Sequence, residues 1–314
     1  MERQFGSSAT QIRFKRLHHT MKRILVLLWL CTAFLSRATA QSTDTLAHAL
    51  LWEISGNGLK QSSYLFGTIH MIPKDQYDLP DHVLARLAQS DRLVLELDMD
   101  KATNVFSQLG LIPKMLMPDG IRIGDLVSSE DYQLVQEAIQ KAGLPNGMIE
   151  RVKPLFLSAL LDPEMGKAAE AESYDLNLYR LATGNGIRHS GLESIKEQMA
   201  AFDAISLEDQ AQMLVDQLKG GDEAGVGGFS DLVAAYKSED LNQLAASMEA
   251  EAEGDFLDVL LYDRNQKWIP LMAKMMKKER VFFGVGAGHL AGAKGVVRLL
   301  EAEGYILKPV PVFP

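Results

Sequence analysis

Two stretches far apart in the chain share one pattern, and that pattern constrains the fold more than any other feature. Tyr64-Leu65-Phe66-Gly67-Thr68-Ile69-His70 and Val281-Phe282-Phe283-Gly284-Val285-Gly286-Ala287-Gly288-His289 each join a bulky apolar run to Gly-x-x-His. The apolar run describes the end of a buried strand. Glycine permits a backbone approach that a side chain would obstruct, and the histidine emerges where strand gives way to loop. Two imidazoles at the carboxyl ends of strands in one sheet would converge where open α/β sheets place their ligands.

The rest of the chain supplies the remainder of such a sheet. Ala47 to Ile54 reads as a first strand, and Ser55-Gly56-Asn57-Gly58 turns it into the strand Ser63 to Ile69 as a hairpin. Met71 to Asp75 reads as a loop. Pro80 then opens a helix with Val83, Leu84, Leu87 and Ala88 on one face. Arg92 to Leu97 is a short apolar strand that ends in Glu96-Leu97-Asp98.

From about residue 100 to 183 the chain is helical, broken by Pro113, Pro118, Pro145 and Pro154, with Met115-Leu116-Met117 as core filler. Ser173-Tyr174-Asp175-Leu176 starts the last helix of this stretch. Ile187 to Leu192 is strand-like and leads into Glu193. Helices follow through Leu232 to Ala252 and Phe256 to Met276, after a flexible loop with glycines at 220, 221, 225, 227 and 228. The strand Arg280 to Val285, the helix Lys294 to Glu303 and the strand Tyr305 to Val312 close the chain. The expected fold class is α/β: a central mixed β-sheet flanked by helices, with a large helical insertion between the N-terminal and C-terminal strands.

The N-terminus stands apart from this domain of 41–314. Met21-Lys22-Arg23, the apolar run Ile24 to Leu35 and the Ala38-Thr39-Ala40 site describe a signal peptide over 21–40, cut before Gln41. The run is shorter than the ~20 apolar residues of a transmembrane helix, so stable membrane insertion after cleavage is not expected. An uncleaved anchor is the alternative. A lipoprotein at Cys31 is disfavoured by bulky Trp29-Leu30. Residues 1–20 lack a folding pattern, and Met21 is a candidate initiator. The expected location is periplasmic or secreted.

Removing 1–40 takes seven of 32 basic residues and one of 41 acids, leaving 25 against 40, a net charge of −15. Such a surface repels nucleic acid on average. The lone cysteine, Cys31, also leaves, which excludes a disulfide, a thiolate nucleophile and Cys-ligated zinc in the exported chain.

Five histidines remain: His48, His70, His82, His189 and His289. Only His70 and His289 follow a glycine-punctuated strand end. His48 and His82 read as surface residues, and His189 as either structural or functional. Glu96 follows Leu93-Val94-Leu95, where an acid is costly unless it faces a cation or a proton to move. Glu193 repeats the arrangement after Leu192. Arg264, beside Asn265 and near Trp268 in an otherwise apolar helix, could orient a carboxylate, stabilise an oxyanion or form a structural ion pair. Two histidines with one or two carboxylates suit a divalent metal with open positions. His-Glu-x-x-His and Gly-x-Ser-x-Gly are absent. The glycines at 284, 286 and 288 do not have dinucleotide-loop spacing.

In order, Tyr-Leu-Phe-Gly-Thr-Ile-His, Leu-Glu-Leu-Asp, Gly-Leu-Glu-Ser with Glu-Gln following, Arg-Asn-x-x-Trp and Val-Gly-Ala-Gly-His-Leu-x-Gly resemble the TraB/GumN family. That family is grouped with TIKI proteins, erythromycin esterases and ChaN-like haem-binding lipoproteins. The resemblance covers about Leu51 to Val310. It implies an α/β fold and TIKI-like metallopeptidase chemistry, with manganese or cobalt ahead of zinc. It places metal ligands at His70, His289 and Glu96, and catalytic roles at Glu96, Arg264 and Glu193.

The leading expectation is therefore an exported metal-dependent hydrolase acting on a peptide or small molecule. A periplasmic haem, iron or ligand-binding protein without turnover is the alternative. A third is a scaffold whose motifs only brace the sheet.

Overall fold

The computed structural model describes residues 45–145, 147, 149–161, 171–220, 229–251 and 255–313. Contacts separate residues 1–45 from 46–314, and the fold below is that of the second unit. The signal-peptide reading of 21–40 and nearly all of the glycine-rich loop lie outside the described residues.

Eight strands form among the described residues: β1 (Leu51–Gly56), β2 (Ser63–Thr68), β3 (Ile72–Pro73), β4 (Arg92–Leu97), β5 (Ala171–Glu172), β6 (Arg188–Glu193), β7 (Val281–Gly286) and β8 (Tyr305–Val310). Six make one sheet in the order β6-β4-β7-β2-β1-β8, while β3 and β5 pair separately. The sheet is mixed. Strands β6, β4, β7 and β2 run parallel to one another, and β1 runs antiparallel to both β2 and β8.

The β1–β2 hairpin turns on Asn57 and Gly58, at φ 43° and 75°, with Leu59 N donating to Gly56 O at 2.9 Å. Positive φ at both central residues matches the twist of the flanking strands. The α/β expectation is met by this sheet and the helices around it.

Among the described residues, twelve α-helices accompany the sheet: α1 (Asp81–Ala88), α2 (Met99–Ala102), α3 (Val105–Leu111), α4 (Ser129–Lys141), α5 (Pro154–Leu161), α6 (Tyr174–Gly184), α7 (Ile195–Asp203), α8 (Leu207–Gly220), α9 (Phe229–Lys237), α10 (Leu241–Glu251), α11 (Asp263–Met276) and α12 (Val296–Ala302). The main core includes Phe66, Phe282, Phe283, Leu93 and Val94 from both faces of the sheet, Tyr174 of α6, and Trp268 and Met272 of α11, with Phe66 in ring contact with Phe282 and Tyr174. A second core gathers Met117, Val135, Ile139, Leu157 and Leu214. It joins α4 and α5 of the insertion to α8, beyond β6.

Two local readings need correction. The stretch Met71 to Asp75 is not wholly loop, because Ile72 pairs with Glu172 and Pro73 with Ala171. A two-residue ribbon carries no periodicity to read, and Pro73 argues against a strand except at an edge. Helix Phe256 to Met276 is not uniform either: Asp258–Tyr262 is a π-helical turn that runs into α11.

The ends of the unit are held together by one carboxylate. Buried Glu239, at φ 57°, accepts from Leu50 N at 2.9 Å, Val312 N at 2.8 Å and Phe313 N at 2.9 Å. Among the described residues no helix is long and apolar enough to cross a membrane.

Candidate active site

Parallel strands end on the same side of a sheet, so the topology decides which residues meet. The carboxyl ends of β6, β4, β7 and β2 carry Glu193, Glu96, His289 and His70 in that order. Leu97 pairs with Glu193 and Thr68 with Gly286 in register. All four candidate ligands or acids therefore stand along one edge, and α11 brings Arg264 to them.

The glycines make the close approach possible. A Cβ on Gly67 would lie 3.2 Å from Ala287 Cα and Cβ and from Leu290 Cδ2. The turn that carries His289 thus packs directly on the β2 backbone. A Cβ on Gly286 would lie 3.2 Å from Glu96 Oε1, and the Gly286 N–H instead donates to that oxygen at 2.8 Å.

Arg264 is the centre of the charge network. Its Nη2 donates to Glu96 Oε2 at 2.5 Å and to Glu193 Oε1 at 2.7 Å. Nε reaches both Glu193 oxygens at 3.1 Å. Nη1 donates to Leu260 O at 2.6 Å and lies 3.2 Å from His289 Nε2. Leu260 belongs to the π-helical turn, a feature often found at functional sites. Trp268 Nε1 donates to Glu193 Oε2 at 3.3 Å, and Gln198 Nε2 to Glu96 Oε2 at 3.4 Å. Arg264 is buried and fully engaged by protein acceptors. It orients carboxylates rather than reaching a substrate.

Burial opposes ionised Glu96. The His289, His70 and Arg264 side chains and the Gly286 N–H outweigh that cost and hold its pKa at about 2. His289, also buried, is pushed down to about 4 by desolvation, so its ring is neutral at pH 7. His70 moves the other way. Its Nδ1 lies 2.9 Å from Asp175 Oδ2, and that bond, against partial burial, raises it to about 9.

The family resemblance implies a divalent metal, and the ring nitrogens of the two histidines test the fit. Asn265 Nδ2 donates to His289 O at 3.2 Å and Lys294 O at 3.0 Å. Its Oδ1 must then accept from His289 Nδ1, 2.7 Å away, which leaves Nε2 unprotonated. A carboxylate can only accept, so the neutral His70 ring likewise carries its proton on Nδ1 beside Asp175. His289 Nε2 lies 3.6 Å from Glu96 Oε1, a separation two ligands of one cation can share, but its lone pair accepts from Arg264 Nη1 at 3.2 Å. His70, raised to about 9, carries a proton on Nε2 at pH 7, so a cation would have to displace both. Once those two protons give way, two imidazole nitrogens and a carboxylate oxygen are donors that suit a divalent cation.

The spacing is looser than expected. Among the described residues, the group of His and acidic side chains with ligand atoms within 4.8 Å of one another is Asp98, Asp100 and His189, not His70, His289 and Glu96. Asp175 holds the His70 ring at the rim, 72% exposed, apart from the buried pair. The Asp98 group has other work. Lys101 Nζ sits 3.0 Å from Asp98 Oδ2, Asp98 caps α2, and Tyr179 donates to Asp100.

His48 is exposed beside Asp240, and His82 lies 3.0 Å from Pro311 O; both are outside the site. Asp175 and Gln198 were missed as site residues, and Asn265 and Trp268 were noted only as neighbours of Arg264. A cavity of about 490 Å³ lined by Asp98, Lys101, Ser190, Gly191, Glu193 and Ser194 adjoins the site on the β6 side.

Comparison with known proteins extends this picture. A protein of Amphimedon queenslandica named metalloprotease TIKI homolog is 24% identical over 350 residues, which cover 92% of this chain and 67% of the homolog. Metalloprotease TIKI2 of Danio rerio is 21% identical over 84% of this chain and 61% of its own length. The chain thus spans about two thirds or less of these relatives. YbaP of Shigella flexneri, described as uncharacterized, is 24% identical over 76% of this chain and 88% of its own length. No solved structure matches. The family profile aligns with residues 50–309, a span that includes every strand of the large sheet but the last residue of β8 and all five site residues, and the chain belongs to the TraB/PrgY/gumN family.

Proposed function

We propose that the protein is an exported metal-dependent hydrolase that cleaves peptides. One observation supports this best: His70, Glu96, His289 and Glu193 end four adjacent parallel strands, with Glu96 ionised and His289 neutral. The printed names of the TIKI relatives support the same reading.

His70, His289 and Glu96 would hold the ion, manganese or cobalt ahead of zinc. When bound, it would supply water activated near neutral pH and a polarised carbonyl. A carboxyl held near 2 is a weak base, since general bases work best near the operating pH. Glu96 is therefore suited to ligation more than to proton abstraction. Arg264 keeps Glu96 charged and fixes its rotamer through Oε2, leaving Oε1 turned toward His289. Glu193, held three times by Arg264 and once by Trp268, positions the arginine. His70 is the exposed ring of the set, and an incoming substrate would meet it first.

The test is metal content and hydrolysis of a peptide library by the mature chain, beside His70→Ala and His289→Ala. Wild type should bind metal and cleave, and each variant should lose at least about a hundredfold, the low end for an acid–base group. Equal turnover by all three proteins overturns the proposal.

A further inference from the structure

His70 is held by a residue more than a hundred positions away, and the fold delivers that residue deliberately close. Strand β3 begins two residues after His70, and β5 ends three residues before Asp175. Their pairing, Ile72 with Glu172 and Pro73 with Ala171, ties the segment leaving His70 to the segment entering α6. Ser173 caps that helix by accepting from Leu176 N, which sets Asp175 in the first turn.

The two Asp175 oxygens then divide between alternate residues at the end of β2. Oδ2 takes His70 Nδ1 at 2.9 Å, and Oδ1 takes Thr68 Oγ1 at 3.0 Å. Thr68 is buried, and the Asp175 side chain is 13% exposed. A carboxylate braced at one oxygen by a buried hydroxyl cannot rotate freely about its own bond. The other oxygen is fixed in direction, and so is the ring bonded to it.

We propose that Asp175 is the positioning residue that holds His70 with Nδ1 inward and Nε2 left to bind the cation. This rests on the metal-dependent reading above and deepens it. Asn265 does the same for His289 with a neutral amide. The two rings are thus oriented by unlike partners, one charged and braced at the rim, one uncharged and buried. Partners of this kind fix ring orientation and raise ligand basicity, and losing one typically costs 10–100-fold in metal affinity.

The experiment uses the mature chain and cobalt(II) alone, read by titration calorimetry and by the paramagnetically shifted proton resonances of ligating histidines. Wild type should show an exchangeable Nδ1 proton for both His70 and His289. Asp175→Ala should bind cobalt about 10–100-fold more weakly, with the His70 resonance lost to solvent exchange and the His289 resonance retained. Asp175→Asn keeps an acceptor for the ring and should recover the His70 resonance and part of the affinity. Should Asp175→Ala fail to fold, Thr68→Val removes only the brace and should still broaden the His70 resonance. Cobalt affinity and resonances unchanged in the folded variants overturn the role of Asp175 and leave the metal reading standing. No cobalt binding by wild type overturns both.

Discussion

Arg264 Nη2 stands 2.5 Å from Glu96 Oε2, and both side chains are less than a tenth exposed. In a buried pair the attraction offsets two desolvation costs, and removing one partner exposes the whole cost of the other. Here the loss is doubled, because Glu193 leans on the same guanidinium. Arg264→Met should destabilise the fold by about 3–5 kcal/mol. Adding Glu193→Gln to that variant should restore part of it. Urea unfolding at pH 7 measures both, and an Arg264→Met protein as stable as wild type would show that the network contributes little.

Stability of the metal-free chain should fall on the acid side of about pH 6.5. His289 has a folded pKa of about 4 against 6.5, so the unfolded chain takes up a proton first as pH drops from 6.5 to 4. Glu96 has a folded pKa of about 2 against 4.5, and its contribution, intact above 4.5, is lost as pH falls toward 2. His70 acts oppositely. Raised to about 9, it contributes fully below 6.5 and loses that contribution as pH rises through 9, weakly because the ring is 72% exposed. Urea midpoints measured with a chelator present should trace a steep acid limb and a shallow alkaline one. Replacing His70 with alanine should flatten the alkaline limb and, by removing one of the charges that hold Glu96 down, make the acid limb shallower at its lowest pH.

How much of this was legible depends on how local each signal is. Leu93-Val94-Leu95 before Glu96 and Val281-Phe282-Phe283 before the second glycine motif are continuous apolar runs, and β4 and β7 fall on them. The shared edge of His70, Glu96, Glu193 and His289 followed because strand ends carry direction. Asp175 gave no comparable signal. An acid in the first turn of a helix is ordinary, and its bonds to Thr68 and His70 span more than a hundred residues. Asn265 was hidden differently, since only the fold reveals that its amide spends both protons on carbonyls. The metal trio was expected tighter than it stands because sequence places His70 on a strand end without saying what holds its ring.

Gly67 should be intolerant of even one methyl group. Its Cβ would press on Ala287 Cα and Leu290 Cδ2 at 3.2 Å, and the turn bearing His289 would have to shift. Gly67→Ala should cost about 1–3 kcal/mol through overpacking and weaken metal binding along with stability. Gly110→Ala is the control: nothing lies within 4 Å of its Cβ, and in helix α3 the change should be neutral or stabilise by about 0.4–1 kcal/mol. Similar thermal midpoints for the two variants would contradict the packing argument.

Glu96 and Glu193 stand on neighbouring strands and share one arginine, yet their free oxygens differ. Both Glu193 oxygens are taken by Arg264 Nε, and Trp268 Nε1 adds to Oε2. Glu96 gives only Oε2 to Arg264 and turns Oε1 toward His289 beside the Gly286 N–H. The two acids should therefore respond differently to the same substitution. Glu96→Gln removes the charge that faces His289 and should abolish metal binding and turnover together. Glu193→Gln leaves a carbonyl for Arg264 and should lower turnover by a smaller factor while cobalt affinity stays near that of wild type. Calorimetry and peptide hydrolysis on the two proteins decide the matter. Equal loss of cobalt affinity in both would place Glu193 among the ligands and break the division of labour inferred from the hydrogen bonds.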